Sequence, residues 1–172
     1  MFSFYQSHHK LIYSKLVDFS RNIFFYRQIL LKDNFETRIN LIFVHFSLIL
    51  IIFKKKKKDF PQEIFDNFFL NIEYHIREIG YGDVTVNKKM KVLTRIFYDI
   101  LLKINKSKSD AFETNNEILK TYFELRNADS AILIDNLSVY FNNFYNFCFE
   151  LETENVLKGK INFKHSNNNG CT

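Results

Sequence analysis

Tryptophan is absent from this 172-residue chain, and there is little to break its backbone: one proline, four glycines and two cysteines. So few glycines and prolines exclude an architecture of many short strands joined by tight turns and leave long helices as the expectation. Cys148 and Cys171 lie far apart and form no Cys-x-x-Cys pair, which argues against a disulfide framework and for a reducing compartment. The opening Met1-Phe2-Ser3-Phe4-Tyr5-Gln6 has no basic region followed by an apolar core, so no secretory signal is expected. No third glycine follows Gly80-x-Gly82, which removes a nucleotide loop, and no serine sits in a strand-to-helix elbow. His8 and His9 are neighbours that point different ways on a helix, while His45 and His75 stand alone on apolar patterns. No histidine has a cysteine or histidine partner at ligand spacing. The expectation is therefore a protein without metal or cofactor, and not an enzyme.

What is abundant is aromatic and apolar: 21 phenylalanines, 9 tyrosines and 47% hydrophobic residues, enough for one domain with a substantial core. The net charge of +5 suits an acidic partner, anionic lipid or RNA without selecting among them. Apolar spacing and end signals predict an all-α single-domain bundle of about six helices, occupying residues 7–151, with a loose tail over 152–172. The first helix runs from about Ser7 to Ser20, with Leu11, Ile12, Lys15, Leu16 and Phe19 on one face, and a short aromatic turn or helix follows from Asn22 to Leu31. Asp33 with Glu36 reads as a capping box opening a long helix to about Phe53, and Asp59 with Gln62 reads as another, helped by Pro61. That next helix ends at Ile79. Later helices are expected from about Val86 to Ile104, Asp110 to Arg126 and Ser130 to Leu151, with a polar linker over Asn105 to Ser109.

Ile39 to Phe53 is almost wholly apolar and is followed by Lys54 to Lys58, which resembles a membrane span with a basic anchor. Fifteen residues reach only roughly 22 Å against about 30 Å of hydrocarbon, so a buried central helix is expected instead. The five lysines read as a solvated turn, or as a site of attraction to lipid head groups or RNA phosphate.

Two of the four glycines fall at one corner, in Ile76-Arg77-Glu78-Ile79-Gly80-Tyr81-Gly82-Asp83. Gly80 closes one helical pattern, and Asp83 or Thr85 is placed to cap the next, whose apolar positions are Val86, Met90, Leu93, Phe97, Ile100 and Ile104. Lys88, Lys89 and Lys91 crowd the expected first turn, where the helix dipole disfavours cations. Lys88, Lys91 and Arg95 share one face. Asp83 could simply offset this charge, or the helix start could hold acidic or carbonyl groups of a partner. Arg77 and Glu78 are adjacent, cannot face each other, and must each find a partner elsewhere.

This segment resembles the signature of the ubiquinol–cytochrome c chaperone family, Arg-Glu-Met-Gly-Val-Gly-Asp, then Val-Pro-Lys, a basic turn and Phe-Tyr-Gly-Arg. Here Arg77 to Asp83 carries Ile79 and Tyr81 as apolar variants, Val86-Asn87-Lys88 follows, and Phe97-Tyr98 remains of the last block. Upstream, Leu11-Ile12-Tyr13, Ser20-Arg21, Phe25-Tyr26, Asp33, Arg38 and His45 keep the family's order, so the resemblance covers about Leu11 to Ile104, with a weaker echo at Leu125-Arg126-Asn127. Asn87, Asp99-Ile100 and Thr37 depart from its Pro, Gly-Arg and Gly. The resemblance implies a non-enzymatic assembly factor for respiratory complex III. Its partners would be cytochrome b or other complex III subunits, with peripheral membrane or ribosome contact and no DNA. It would work in the cytoplasm against the inner membrane, or on the matrix side in a mitochondrion. Arg77, Glu78, Gly80, Gly82, Asp83, Lys88, Lys91 and Arg95 are the candidate partner-binding residues. Tyr26, Asp33, Arg38, His45, Phe97 and Tyr98 are expected to be scaffold, with Asp33 capping the long helix. A basic helical RNA- or ribosome-binding protein is the alternative.

Overall fold

A computed structural model describes residues 2–125 and 129–165, with side chains from Lys10 onward. Among these residues there are eight helices and no strand, only an isolated bridge between Asn105 and Thr114. The elements are α1 (Phe2–Ser20), α2 (Ile23–Arg27), α3 (Phe35–Lys55), α4 (Gln62–Glu78), α5 (Asp83–Lys103), α6 (Asn116–Tyr122), α7 (Ser130–Glu150) and α8 (Thr153–Leu157). The all-α bundle is as expected. Cys171, Arg126 and Asn127 lie outside the described residues, as do the side chains of His8 and His9.

α3 is the centre, packed by α1, α5 and α7. Leu41, Val44 and Leu48 are fully buried and Ile52 nearly so. Contrary to the expectation from fifteen residues, α3 has 21 and reaches about 31 Å, so length does not exclude a membrane span. Burial decides the matter: most of the apolar stretch is covered by protein, as in the core helix of a bundle. A phenylalanine layer joins α3 to α4 and α5, with Phe46 stacked on Phe68 at 3.9 Å between centroids and Phe97 in edge contact with Phe43 at 5.5 Å. Two polar groups on α3 also find partners. The Asn40 side-chain amide donates to the Tyr122 carbonyl at 3.0 Å, and His45 bonds across to α7.

Both expected capping boxes are absent. Asn34, one residue after Asp33, caps α3 by accepting from the Thr37 amide at 2.8 Å, and α4 starts behind Pro61 with no side-chain cap. The helix predicted from Asp110 shrinks to α6. Asn142 of α7 pins the preceding loop by accepting from both the amide and the hydroxyl of Thr114, at 3.0 and 2.7 Å. The tail expected to be loose is packed through His165. Val156 and Ile161 are buried, and Phe163 meets Tyr140, Phe144 and Phe147 at about 5.5 Å. Gly159, at φ +68°, comes so close to α1 that a Cβ would sit 2.9 Å from the Leu11 carbonyl oxygen, so the tail can lie there only with glycine. Residues 166–172 of the expected tail are outside the described region.

Part of the lysine run is structural. Lys55 donates to the Asp110 carbonyl at 2.5 Å, and Lys56 donates to the Leu151 carbonyl at 2.7 Å while lying over the Phe149 ring. Lys57 takes φ +53° and the Lys58 amide returns to the Phe53 carbonyl, a helix-ending turn that leaves Lys54, Lys57 and Lys58 exposed.

Candidate functional site: the corner between α4 and α5

α4 ends in Arg77-Glu78, and Gly80 turns the chain with φ +105°, its amide donating to the Arg77 carbonyl at 2.9 Å. Nothing lies within 4 Å of where a Cβ would stand, so conformation rather than crowding requires glycine there. Gly82 does not share that role. It is extended, at φ −73°, in open space, and only Gly80 of the expected pair needs its freedom. α5 then begins at Asp83, three residues earlier than expected, with neither Asp83 nor Thr85 acting as a side-chain cap. The Asp83 carboxylate instead accepts from Arg77, whose guanidinium also holds Glu73 at 2.8 Å. These hydrogen bonds raise the arginine's already high pKa, Asp83 contributing most. Arg77 thus ties the last turns of α4 to the first turn of α5 and is engaged within its own chain.

The early start of α5 changes the meaning of the cations. Its first turn is acidic, and Lys88 and Lys91 fall in the second and third turns, so the expected conflict with the helix dipole is relieved. Lys88, Lys91 and Arg95 are all exposed on one face, and among the described residues none has an ion-pair partner. Lys89 places its ammonium 4.6 Å over the Tyr81 ring. Large apolar side chains are also exposed at this corner, Ile79 at 56% and Val84 at 70%.

Two concavities flank the corner. Between the first turn of α3 and the first half of α5 is a largely apolar groove of about 350 Å³, lined by Phe35, Glu36, Lys88, Val92 and Ile96. Between α1 and α4 is a polar cleft of about 700 Å³, where the Tyr13 hydroxyl and His75 Nδ1 share a hydrogen bond of 2.9 Å. Burial, then the Glu78 carboxylate, pushes the Tyr13 phenol up. Glu78 lies on the edge of this cleft and of a smaller one reaching Phe35 and Arg38.

The residues expected to be scaffold separate into three environments. Asp33 is no cap. It forms a two-point pair with Arg38, at 2.7 and 3.0 Å, and that hydrogen bonding holds its carboxyl below the usual range. Tyr26 donates to the Ser20 carbonyl at 2.5 Å. His45 is fully buried, with Nδ1 2.6 Å from the Leu41 carbonyl and Nε2 3.0 Å from the Tyr140 hydroxyl, so Nδ1 donates and Nε2 accepts. Burial lowers its pKa to about 4. Phe97 is in the core, whereas Tyr98 is on the surface at 44% exposure and fills no interior space. Asp99, where the family signature has glycine, accepts from Tyr122 and pairs with Lys103, fastening α6 to α5.

Phe35 and Val92 were not among the sequence candidates, because neither breaks the periodicity of its helix. Only the approach of α3 to α5 reveals them.

The fold and this corner define an all-α scaffold with apolar and cationic side chains exposed at the turn between two helices. The chain belongs to the ubiquinol-cytochrome C chaperone family, whose profile matches residues 27–153 and so includes α3, the corner and α5. The fold is similar to that of the crystal structure of the Cbp3 homolog from Brucella abortus, with a TM-score of 0.67 and 22% identity over 93% of this chain and 90% of that one. No curated protein matches it by sequence.

Proposed function

We propose that the chain is a non-enzymatic chaperone for assembly of the ubiquinol–cytochrome c reductase complex, and that its client is cytochrome b. The carrying observation is membership of the chaperone family over a segment that contains the whole α4–α5 corner. The corner's chemistry supports this reading. A client held before assembly exposes surfaces that will later be buried, and exposed apolar side chains on the same corner as unpaired cations suit such a surface. Arg77, Gly80 and Asp83 fix the angle of the corner, while Lys88, Lys91 and Arg95 present charge to the client. The work takes place on the membrane face where cytochrome b is inserted, with the chaperone peripheral to it. An RNA-binding reading gains little support, because Lys55 and Lys56 are spent on backbone carbonyls within the chain. Deleting the gene and recording membrane difference spectra tests the proposal. Depletion of b-type haem absorbance, restored by the gene supplied in trans, is the expected result, and an unchanged spectrum contradicts it.

A further inference from the structure

We propose that the groove between the first turn of α3 and α5 docks an amphipathic helix of a partner protein, with its apolar face inward and acidic residues along the flank that meets α5. This rests on reading the corner as the client-binding surface and adds the shape and chemistry of what binds there. Lys88, Val92 and Ile96 line the groove at steps of four residues along one face of α5. Eight residues at about 1.5 Å each span about 12 Å, a little over two helical turns. Phe35, directly after the Asn34 cap, forms the opposite wall and is 39% exposed, while Val92 is 45% exposed. Scattered exposed apolar residues are ordinary on a surface, but these two face a shared concavity of about 350 Å³.

Charge and shape select the occupant. The α5 wall carries Lys88 and Lys89, the latter over the Tyr81 ring, with Lys91 and Arg95 exposed beyond it; Lys88, Lys91 and Arg95 have no ion pair among the described residues, and the α3 side carries Glu36, likewise without one. A complementary helix is acidic towards α5 and basic towards Glu36, and this asymmetry also sets its direction. A flat lipid surface would touch the ammonium groups before reaching an apolar floor that lies between two helices. A helix can insert side chains three and four residues apart into such a groove.

Labelled overlapping peptides of about fifteen residues, covering cytochrome b from the same organism, are titrated against the full chain and against Val92→Glu and Lys88→Glu, with melting curves confirming that both variants fold. The proposal expects one or more peptides with an apolar face and an acidic flank to bind. Each substitution should weaken binding about tenfold or more, and exchanging the peptide's acidic residues for lysine should restore binding to Lys88→Glu. If such peptides bind the wild type and both variants equally, the groove assignment is wrong while the client reading stands. If neither the peptides nor intact cytochrome b bind the wild type, the client reading fails and the groove assignment fails with it. Two other results overturn helix docking: a wild-type dimer that Val92→Glu splits, or binding to phosphatidylglycerol vesicles that Val92→Glu abolishes.

Discussion

Acidification should reach the core of this protein through His45 before it reaches the carboxylates. The imidazole is fully buried among Phe19, Phe141 and Phe144, and burial lowers its pKa from 6.5 to about 4. As pH falls the unfolded chain takes up this proton first, so the contribution to stability is whole above about pH 6.5 and drains away towards pH 4. Two and a half pH units at about 1.4 kcal/mol each give at most about 3.5 kcal/mol, a large share of the roughly 5–15 kcal/mol available to a domain. Urea unfolding at intervals between pH 7.5 and 4.5 measures it, with the double variant His45→Phe/Tyr140→Phe as control. The second substitution removes the hydroxyl that would otherwise lose its acceptor, and a phenyl ring can occupy the place that His45 holds against Phe19. His165, also lowered by burial, contributes in the same direction and remains in the control. The wild type should therefore lose up to about 3 kcal/mol more than the control across this window. Equal losses in the two proteins would refute the assignment of a neutral buried imidazole.

Gly80→Ala should destabilise the protein by about 1–3 kcal/mol through its positive φ, whereas Gly82→Ala should be neutral or slightly stabilising; thermal melts of the two variants decide, and equal shifts would contradict the corner geometry. Asn34→Ala should cost about 0.5–2 kcal/mol by removing the α3 cap, while Asp33→Ala should lower the melting midpoint less; the reverse order would return the cap to Asp33. Gly159→Ala should detach the segment after α8, seen as faster amide exchange from Val156 to His165, and unchanged protection would show that α1 gives way instead.

Helix periodicity was legible because glycine and proline are so scarce: Ile64, Phe68, Ile72 and Ile76 on α4, and Val86, Phe97 and Ile100 on α5, are buried as their spacing predicts, whereas Ile79 at the end of the first run is exposed and Met90 and Leu93 of the second are half-buried. Helix ends were less legible, since Asp33 and Asn34 are both competent caps and a difference of one residue in backbone geometry chose the second. The fastening of the tail could not be seen, because it depends on Gly159 meeting Leu11 across a long sequence separation rather than on local pattern. At the corner the glycine pair was visible, but the division of labour between Gly80 and Gly82 was not. The internal capture of Arg77 by Glu73 and Asp83 was equally hidden, since that pairing follows from where α5 starts. The groove against Phe35 had no sequence signal at all, being a product of how two helices approach.

Whether the cationic face of the α4–α5 corner holds the client is decided by the triple charge reversal Lys88→Glu/Lys91→Glu/Arg95→Glu. These side chains are exposed, and among the described residues none forms an ion pair, so the variant should fold with a melting midpoint near that of the wild type. The measurement is the amount of cytochrome b that co-purifies with each tagged protein from detergent-solubilised membranes. A normally folded variant should lose cytochrome b, and undiminished co-purification with normal complex assembly would show that this face does not hold the client.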